Sequence, residues 1–253
     1  MPELLLTKAE PLIQPTGRCR PNRTQVFVLS AAKTSGKYYD RRTATRDTWV
    51  SEIIKDYSAD ISVTFVLAYH RNPESIESQE IQKQITAESH IYDDILQFAF
   101  VDHYYNLTLK TLSILHWVSK NCLSAKYVVK ADDDLIVNTG RLTDKIRKNA
   151  FKSGITGEKR VMSIVRDTTS PFYIPYDVYP SDDHFPIAPG PFYVITMDSV
   201  DGLYRTAIDN QTVLKLEDVY VTGVIARKAN VPVHDDPDII IGYDYNYGSG
   251  GGV

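Results

Sequence analysis

The sequence predicts an α/β protein built on a largely parallel sheet, and three observations carry that expectation. Apolar runs of strand length recur along the first half of the chain: Val26 to Ala31, Ile61 to Tyr69, Ile95 to Val101 and Tyr127 to Val129. Stretches with helical spacing, many of about 15 residues, separate one run from the next, which is the pattern of βαβ crossovers. A composition of 43% hydrophobic and 24% charged residues over 253 positions is ordinary for a globular chain and excludes a disordered segment or a fibre.

Taken in order, residues 1 to about 24 carry four prolines and no strand or helix period, which predicts a linker or stem. After the first strand, Tyr39 to Tyr57 reads as a helix, and a polar helix over 73–90 follows the Ile61 strand. From Asn106 to Cys122 the apolar residues Leu107, Leu109, Leu112, Leu115 and Val118 recur at helical spacing. Beyond Gly140 the pattern loosens into an aromatic, proline-rich stretch from Pro171 to Phe192. A strand at Phe192 to Thr196 and helices over 198–208 and 217–229 follow. The tail Tyr243 to Val253 is low in complexity. The expected organisation is a linker over 1–24, one domain over 25–236 and a tail over 237–253.

Charge and cysteine usage narrow the function classes. Lys and Arg total 28 against 32 Asp and Glu, a net charge of −4, which disfavours a nucleic-acid binder working by phosphate neutralisation. Cys19 and Cys122 alone exclude a cysteine zinc module or a disulfide-dense scaffold; they form one bridge or stay apart. The apolar runs fall far short of the ~18 residues of a membrane helix. Leu4-Leu5-Leu6 lacks the flanks of a signal peptide, so the chain reads as soluble.

The strongest chemical signal is Lys130-Ala131-Asp132-Asp133-Asp134 at the end of an apolar strand. Three adjacent carboxylates repel one another, and a hard divalent cation such as Mn²⁺ or Mg²⁺ relieves that repulsion; a solvated acidic turn is the plain alternative. The strand's carboxyl end is also where open α/β sheets bind ligands. Glu217-Asp218 opens an apolar helical run, either as first-turn acids matching the helix dipole or as a general base beside a metal. Arg41, Arg42 and Arg46 precede Trp49 and suit phosphate or carboxylate recognition as well as surface ion pairs. Among six histidines, His234 stands out for its neighbours Asp235 and Asp236. Asn22, Asn106 and Asn210 begin glycosylation sequons.

Four segments occur in a fixed order: Arg41-Arg-Thr-Ala-Thr-Arg-Asp-Thr-Trp49, Asp102-His-Tyr-Tyr-Asn-Leu-Thr-Leu-Lys-Thr111, Tyr127-Val-Val-Lys-Ala-Asp-Asp-Asp134 and Leu216-Glu-Asp-Val-Tyr-Val-Thr-Gly223. With them the sequence resembles the β-1,3-galactosyltransferase family, which includes β-1,3-N-acetylglucosaminyltransferases and, more distantly, Fringe. The likeness covers Val26 to Val231. It implies a GT-A glycosyltransferase fold, a Rossmann-like mainly parallel sheet with helices on both faces and a smaller acceptor-binding part. It also implies a Golgi type II enzyme using a UDP-sugar and Mn²⁺, whose N-terminal anchor has no counterpart in this sequence.

Carried over by position, the resemblance makes Asp132, Asp133 and Asp134 the metal and nucleotide-sugar motif, with Asp134 the direct ligand and Asp218 the catalytic base. It places Arg42, Arg46, Asp102 and Lys110 at the donor site, and leaves His234 as the candidate for a later metal-binding histidine. In the segment Phe185 to Val194, Ala188 stands where the family has a cysteine, which removes the usual partner of Cys122. Phe192 stands where it has a glycine, which adds bulk beside the sugar pocket. The activity expected is inverting, metal-dependent transfer of a hexose, galactose or N-acetylglucosamine, from a UDP-sugar to a glycan acceptor in β-1,3 linkage. A catalytically silent glycan-binding or chaperone-like relative is the alternative. A metal-dependent nuclease or phosphatase leaves the arginine and Asn-Leu-Thr-Leu-Lys segments unexplained.

Overall fold

Four parallel strands set the direction of the sheet. β2 (Thr24–Leu29) lies between β3 (Ile61–Tyr69) and β5 (Tyr127–Asp132), and β4 (Ile95–Val101) lies outside β3. The computed structural model describes residues 10–19, 23–29, 36–57, 61–70 and 72–243. The connections are helical: α1 (Gly36–Thr45) runs through a π-helical turn, Arg46–Val50, kinked at Thr48, into α2 (Ser51–Tyr57). Then come α3 (Ile76–Tyr92) between β3 and β4, and α4 (Leu107–Asn121) between β4 and β5. The carboxyl ends of all four strands therefore share one edge, and Leu29 of β2 stands opposite Asp132 of β5 there.

The other half of the sheet is mixed. β10 (Phe192–Thr196) pairs antiparallel with both β5 and β7 (Ile155–Gly157), and β11 (Val233–Asp235) runs parallel to β7. With β1 (Pro11–Ile13) antiparallel to β4, the order is β1-β4-β3-β2-β5-β10-β7-β11. The α/β class and the mainly parallel sheet are thus as the sequence predicts. Alternation of side chains puts helices on both faces. Phe27 and Val128 enter a core with Leu112, Trp117, Val200 and Val221, whereas Val26 and Val129 enter a second with Trp49, Ile53, Leu142 and Ile146.

Where structure and expectation differ, the cause is strand length. Residues 11–13 lie in the stretch expected to be a linker, yet they form an edge strand, the place in a sheet that tolerates proline. The three- and four-residue strands β6 (Leu135–Val137), β7, β8 (Arg160–Ser163), β9 (His184–Ile187), β11 and β12 (Ile240–Tyr243) are too short to show a period of two. Each is held by a distant partner: β6 by β12, β8 by β9. β12 falls in the stretch expected to be tail; residues 244–253 lie outside the described residues. The expected helix over 217–229 is a π-helical segment, Val219–Ile225, with one α-helical turn after it (Ala226–Lys228).

The two cysteines pair. Cys19 and Cys122 are joined across 103 positions with Cα atoms 4.8 Å apart, so Cys122 has a partner without a cysteine at 188. Phe192 does not add bulk to a pocket: it is buried opposite Ala131 and packs in the second core. Glycine at this position would leave that core short of a ring.

A buried ion cluster locks α1 to α3. Arg42 donates to both oxygens of Glu88 at 2.9 and 2.5 Å, and Arg46 reaches Glu88 at 2.7 Å and Asp94 at 2.8 and 2.9 Å. The Arg46 guanidinium also lies between the rings of Tyr92 and Phe65, 4.0 and 4.6 Å from their centroids. Burial pushes the Glu88 carboxyl up, but its bonds to Arg42 and Arg46 outweigh this and hold it below the ordinary range. Glu88→Gln is expected to cost about 3 kcal/mol or more at neutral pH, because two buried cations lose their counter-charge. A depressed carboxyl stabilises the fold above its unfolded pKa and loses that contribution as pH falls through its folded value. The gap between wild type and variant, read by urea melts, should therefore hold at pH 5–8 and close below about pH 4.

Candidate active site

The acidic turn sits where β5 meets the crossing segment Ala188–Pro191, and the Asp132 N–H donates to the Pro191 carbonyl at 2.9 Å. Asp132 and Asp134 are half-buried, while Asp133 points inward and pairs with Arg41 Nη1 at 3.3 Å, tying the turn to α1. One strand position earlier, Lys130 runs beneath the turn. Its almost fully buried ammonium donates to Asp132 Oδ1 at 2.5 Å and to the Gly190 carbonyl.

From Gly190 the network continues to the second acidic pair. The Gly190 N–H donates to Asp218 Oδ2 at 3.1 Å, and Asp218 Oδ1 accepts from the Val219 N–H at 2.8 Å, capping the π-helical segment. A Cβ on Gly190 would lie 3.7 Å from Asp218 Oδ2 and 3.8 Å from Glu217 Oε2, so both carboxylates flank this one residue. They differ in exposure. Glu217 is buried and accepts from the Tyr193 hydroxyl at 2.5 Å, whereas Asp218 is half-buried and, among the described residues, takes its bonds from backbone N–H groups.

Negative charge is in excess here. Burial drives the Asp132 carboxyl up to about 7; Lys130 opposes this, and the charges of Asp134 and Glu217 add to it. Burial likewise raises Glu217, against Lys130 and with Asp218. The Lys130 ammonium is disfavoured by burial, but Asp132 and Glu217 outweigh that and raise its pKa. Tyr104 borders the same charges: burial, then Asp218 and Asp132, push its hydroxyl up. Three carboxylates around one ammonium, with Asp134 adding its charge to Asp132, form a setting that a cation relieves.

The donor set suits such a cation. Among the described residues no group of three or more His, Cys, Asp and Glu is arranged to hold a metal. What the turn offers is the hard oxygens of Asp132 and Asp134, and one or two carboxylates are what Mg²⁺-like ions take from a protein when phosphates supply the rest.

Several expected site residues are placed elsewhere. His234 lies on β11, three strand spacings or about 14 Å across the sheet from β5, and its Nε2 is 2.9 Å from the Ser153 carbonyl; it does not join the acidic turn. Arg42 and Arg46 are matched to Glu88 and Asp94, and Lys110 bonds both oxygens of Asp102 at 2.7 and 2.8 Å in the interior. These four charges are paired within the scaffold, three of them buried and Arg46 nearly so. Of the sequons, Asn106 donates to the Val101 carbonyl at 2.8 Å, Asn210 is half-buried in a loop beside Lys228, and Asn22 lies outside the described residues. Two grooves of about 580 and 470 Å³ run beside α3 and contain none of these groups. We place the chemistry at the acidic turn because titratable groups converge there.

Gly190 belongs to the site although the residue patterns gave it no role, and Lys130, which opens the acidic signal in the sequence, belongs to it as the partner of Asp132. The signal for Lys130 was present: a lysine in the buried run Tyr127-Val-Val-Lys-Ala needs a carboxylate partner.

Comparison with known proteins gives the family. The family pattern described as Galactosyltransferase matches residues 40–237. Beta-1,3-galactosyltransferase 1 of Homo sapiens is 33% identical over 223 residues, covering 87% of this chain and 65% of that protein. Lactosylceramide 1,3-N-acetyl-beta-D-glucosaminyltransferase of Xenopus tropicalis is 32% identical over 225 residues, covering 87% and 58%. The chain thus spans less than two thirds of the length of these relatives. The solved structure of 4-diphosphocytidyl-2C-methyl-D-erythritol synthase from Anaerococcus prevotii overlays with a TM-score of 0.46 and 10% identity, over 89% of this chain and 93% of that one. On the family match over most of its length and the identity to these relatives, the chain belongs to the galactosyltransferase family.

Proposed function

We propose that the chain transfers a hexose from a UDP-sugar to a hydroxyl of a glycan acceptor, forming a β-1,3 linkage with inversion. The observation that carries this reading is the pairing of a half-exposed carboxylate, Asp218, with the acidic turn through Lys130 and Gly190. A carboxylate whose bonds come from backbone N–H groups keeps lone pairs for a proton, so Asp218 takes the proton of the attacking hydroxyl. Attack from the face opposite the leaving diphosphate inverts the anomeric centre. Asp134 and Asp132 would hold Mn²⁺ or Mg²⁺, which when bound would stabilise charge on the departing diphosphate. Lys130 keeps Asp132 in place, and Glu217, fixed by Tyr193, adds negative potential without reaching outward.

Galactose is the first donor to test and N-acetylglucosamine the second, since relatives carry both names. A secretory compartment fits the disulfide and the sequons. The Golgi and a type II topology are the setting this reading adopts; no helix among the described residues is long and apolar enough to cross a membrane.

The test is a panel of UDP-sugars against methyl β-galactoside and methyl N-acetyl-β-glucosaminide, with Mn²⁺ and with EDTA. Transfer with Mn²⁺ from one donor, lost in EDTA, is expected. In calorimetry, Asp134→Ala should weaken Mn²⁺-assisted UDP binding at least about tenfold, as loss of a direct ligand requires. UDP binding with no turnover of any donor would instead mark a silent, glycan-binding relative.

A further inference from the structure

We infer that the Tyr104–Tyr105 step is the platform on which the acceptor sugar ring rests in front of Asp218; this deepens the reading of Asp218 as the acceptor's base. The short 3₁₀ turn Tyr104–Asn106 leaves the end of β4 with both tyrosines partly open to solvent, 46% and 38% exposed as residues. The rings meet edge to face at 5.5 Å. Tyr105 is the buttress. The His103 ring lies 5.3 Å from it, its own N–H donates to His103 Nδ1 at 3.1 Å, and Lys215 Nζ sits 5.1 Å over its face. Beneath, the turn is anchored by Asn106 on the Val101 carbonyl and by the buried pair of Lys110 and Asp102.

Two contacts fix this step to the segment that carries the base. The Thr108 hydroxyl donates to the Leu214 carbonyl at 2.9 Å, and Lys215, stacked on Tyr105, precedes Asp218 by three positions. The charges of Asp218, Asp132 and Glu217 all bear on the Tyr104 hydroxyl, which agrees with that placement. Single exposed aromatics are common on protein surfaces and need no explanation. A braced pair beside a cluster of carboxylates is different. A pyranose has an apolar face of C–H groups and a rim of hydroxyls, so an aromatic ring next to a carboxylate matches both, the ring beneath the face and Asp218 at the rim.

Tyr104→Ala is expected to raise the acceptor KM at least about tenfold, with UDP affinity in calorimetry within twofold of wild type. Tyr104→Phe, which keeps the face and drops the hydroxyl, should restore the acceptor KM to within threefold. Tyr173→Ala, which removes a comparably exposed tyrosine from the 171–183 stretch, should leave the acceptor KM unchanged. Saturation-transfer NMR with methyl β-galactoside and methyl N-acetyl-β-glucosaminide reads binding without turnover. Loss of ring-proton saturation in Tyr104→Ala supports the platform even where no donor is consumed, so its fate separates from that of the transferase reading. An unchanged acceptor KM and undiminished saturation in Tyr104→Ala would overturn it, as would a Phe variant no better than Ala.

Discussion

Asparagine at Asp218 is expected to lower sugar transfer by about a thousandfold or more, within the span of losses when a positioned general base is removed. UDP affinity should stay within about twofold of wild type, since Asp218 meets the acidic turn only through Gly190 and Lys130. The amide is close to isosteric and its oxygen still accepts from the Val219 N–H, so the helix start keeps its cap. The Gly190 N–H is left with a poorer partner, and the cost in stability should be about 1 kcal/mol. Steady-state transfer, UDP calorimetry and a thermal melt on one preparation separate these effects. Persistent transfer would move the base to another group.

The second large effect concerns the staple between Cys19 and Cys122. Its loop of just over a hundred residues confines the unfolded chain, and the chain-entropy relation assigns such loops about 4–5 kcal/mol. At roughly 2–4 °C per kcal/mol for a chain of this size, reduction should lower Tm by about 10 °C or more. Cys19→Ala should show the same drop without reductant and no further drop with it. A melt insensitive to reductant would mean that the stapled residues add nothing once the sheet has formed. The bridge sits at the end of α4, and Arg18 beside it donates to the carbonyls of Asp93 and Tyr92 at 2.7 and 2.8 Å. Opening it therefore loosens the hold of residues 11–19 on the α3–β4 corner.

Much of this arrangement was legible in the residues because it is local. Ile61 to Tyr69 and Ile95 to Val101 are strands over the expected bounds, and α4 and α5 (Met197–Asp209) fall within one residue of theirs. The acidic turn and the Glu217-Asp218 pair were visible as isolated clusters. What linear reading could not supply was the third partner. Gly190, between two prolines, carries no chemistry until the β9–β10 connection lays it between Lys130 and Asp218. The arginines show the opposite failure. Arg42 and Arg46 look like phosphate ligands until α3 brings Glu88 against them, 46 and 42 positions away. A charged side chain declares its type in sequence, but only tertiary packing decides whether its counter-charge is internal.

The lateral margins of the sheet have a consequence of their own. At one border stands β1 and at the other β11, each three residues long. An open strand is a template on which a second copy can add its own backbone, and a margin this brief exposes few unpaired amides for such growth. On the β1 side proline removes one more donor. The molecule thus carries a guard against edge-to-edge self-association, and severing the staple that pins residues 11–19 would uncover the longer, apolar rim of β4 to neighbouring copies.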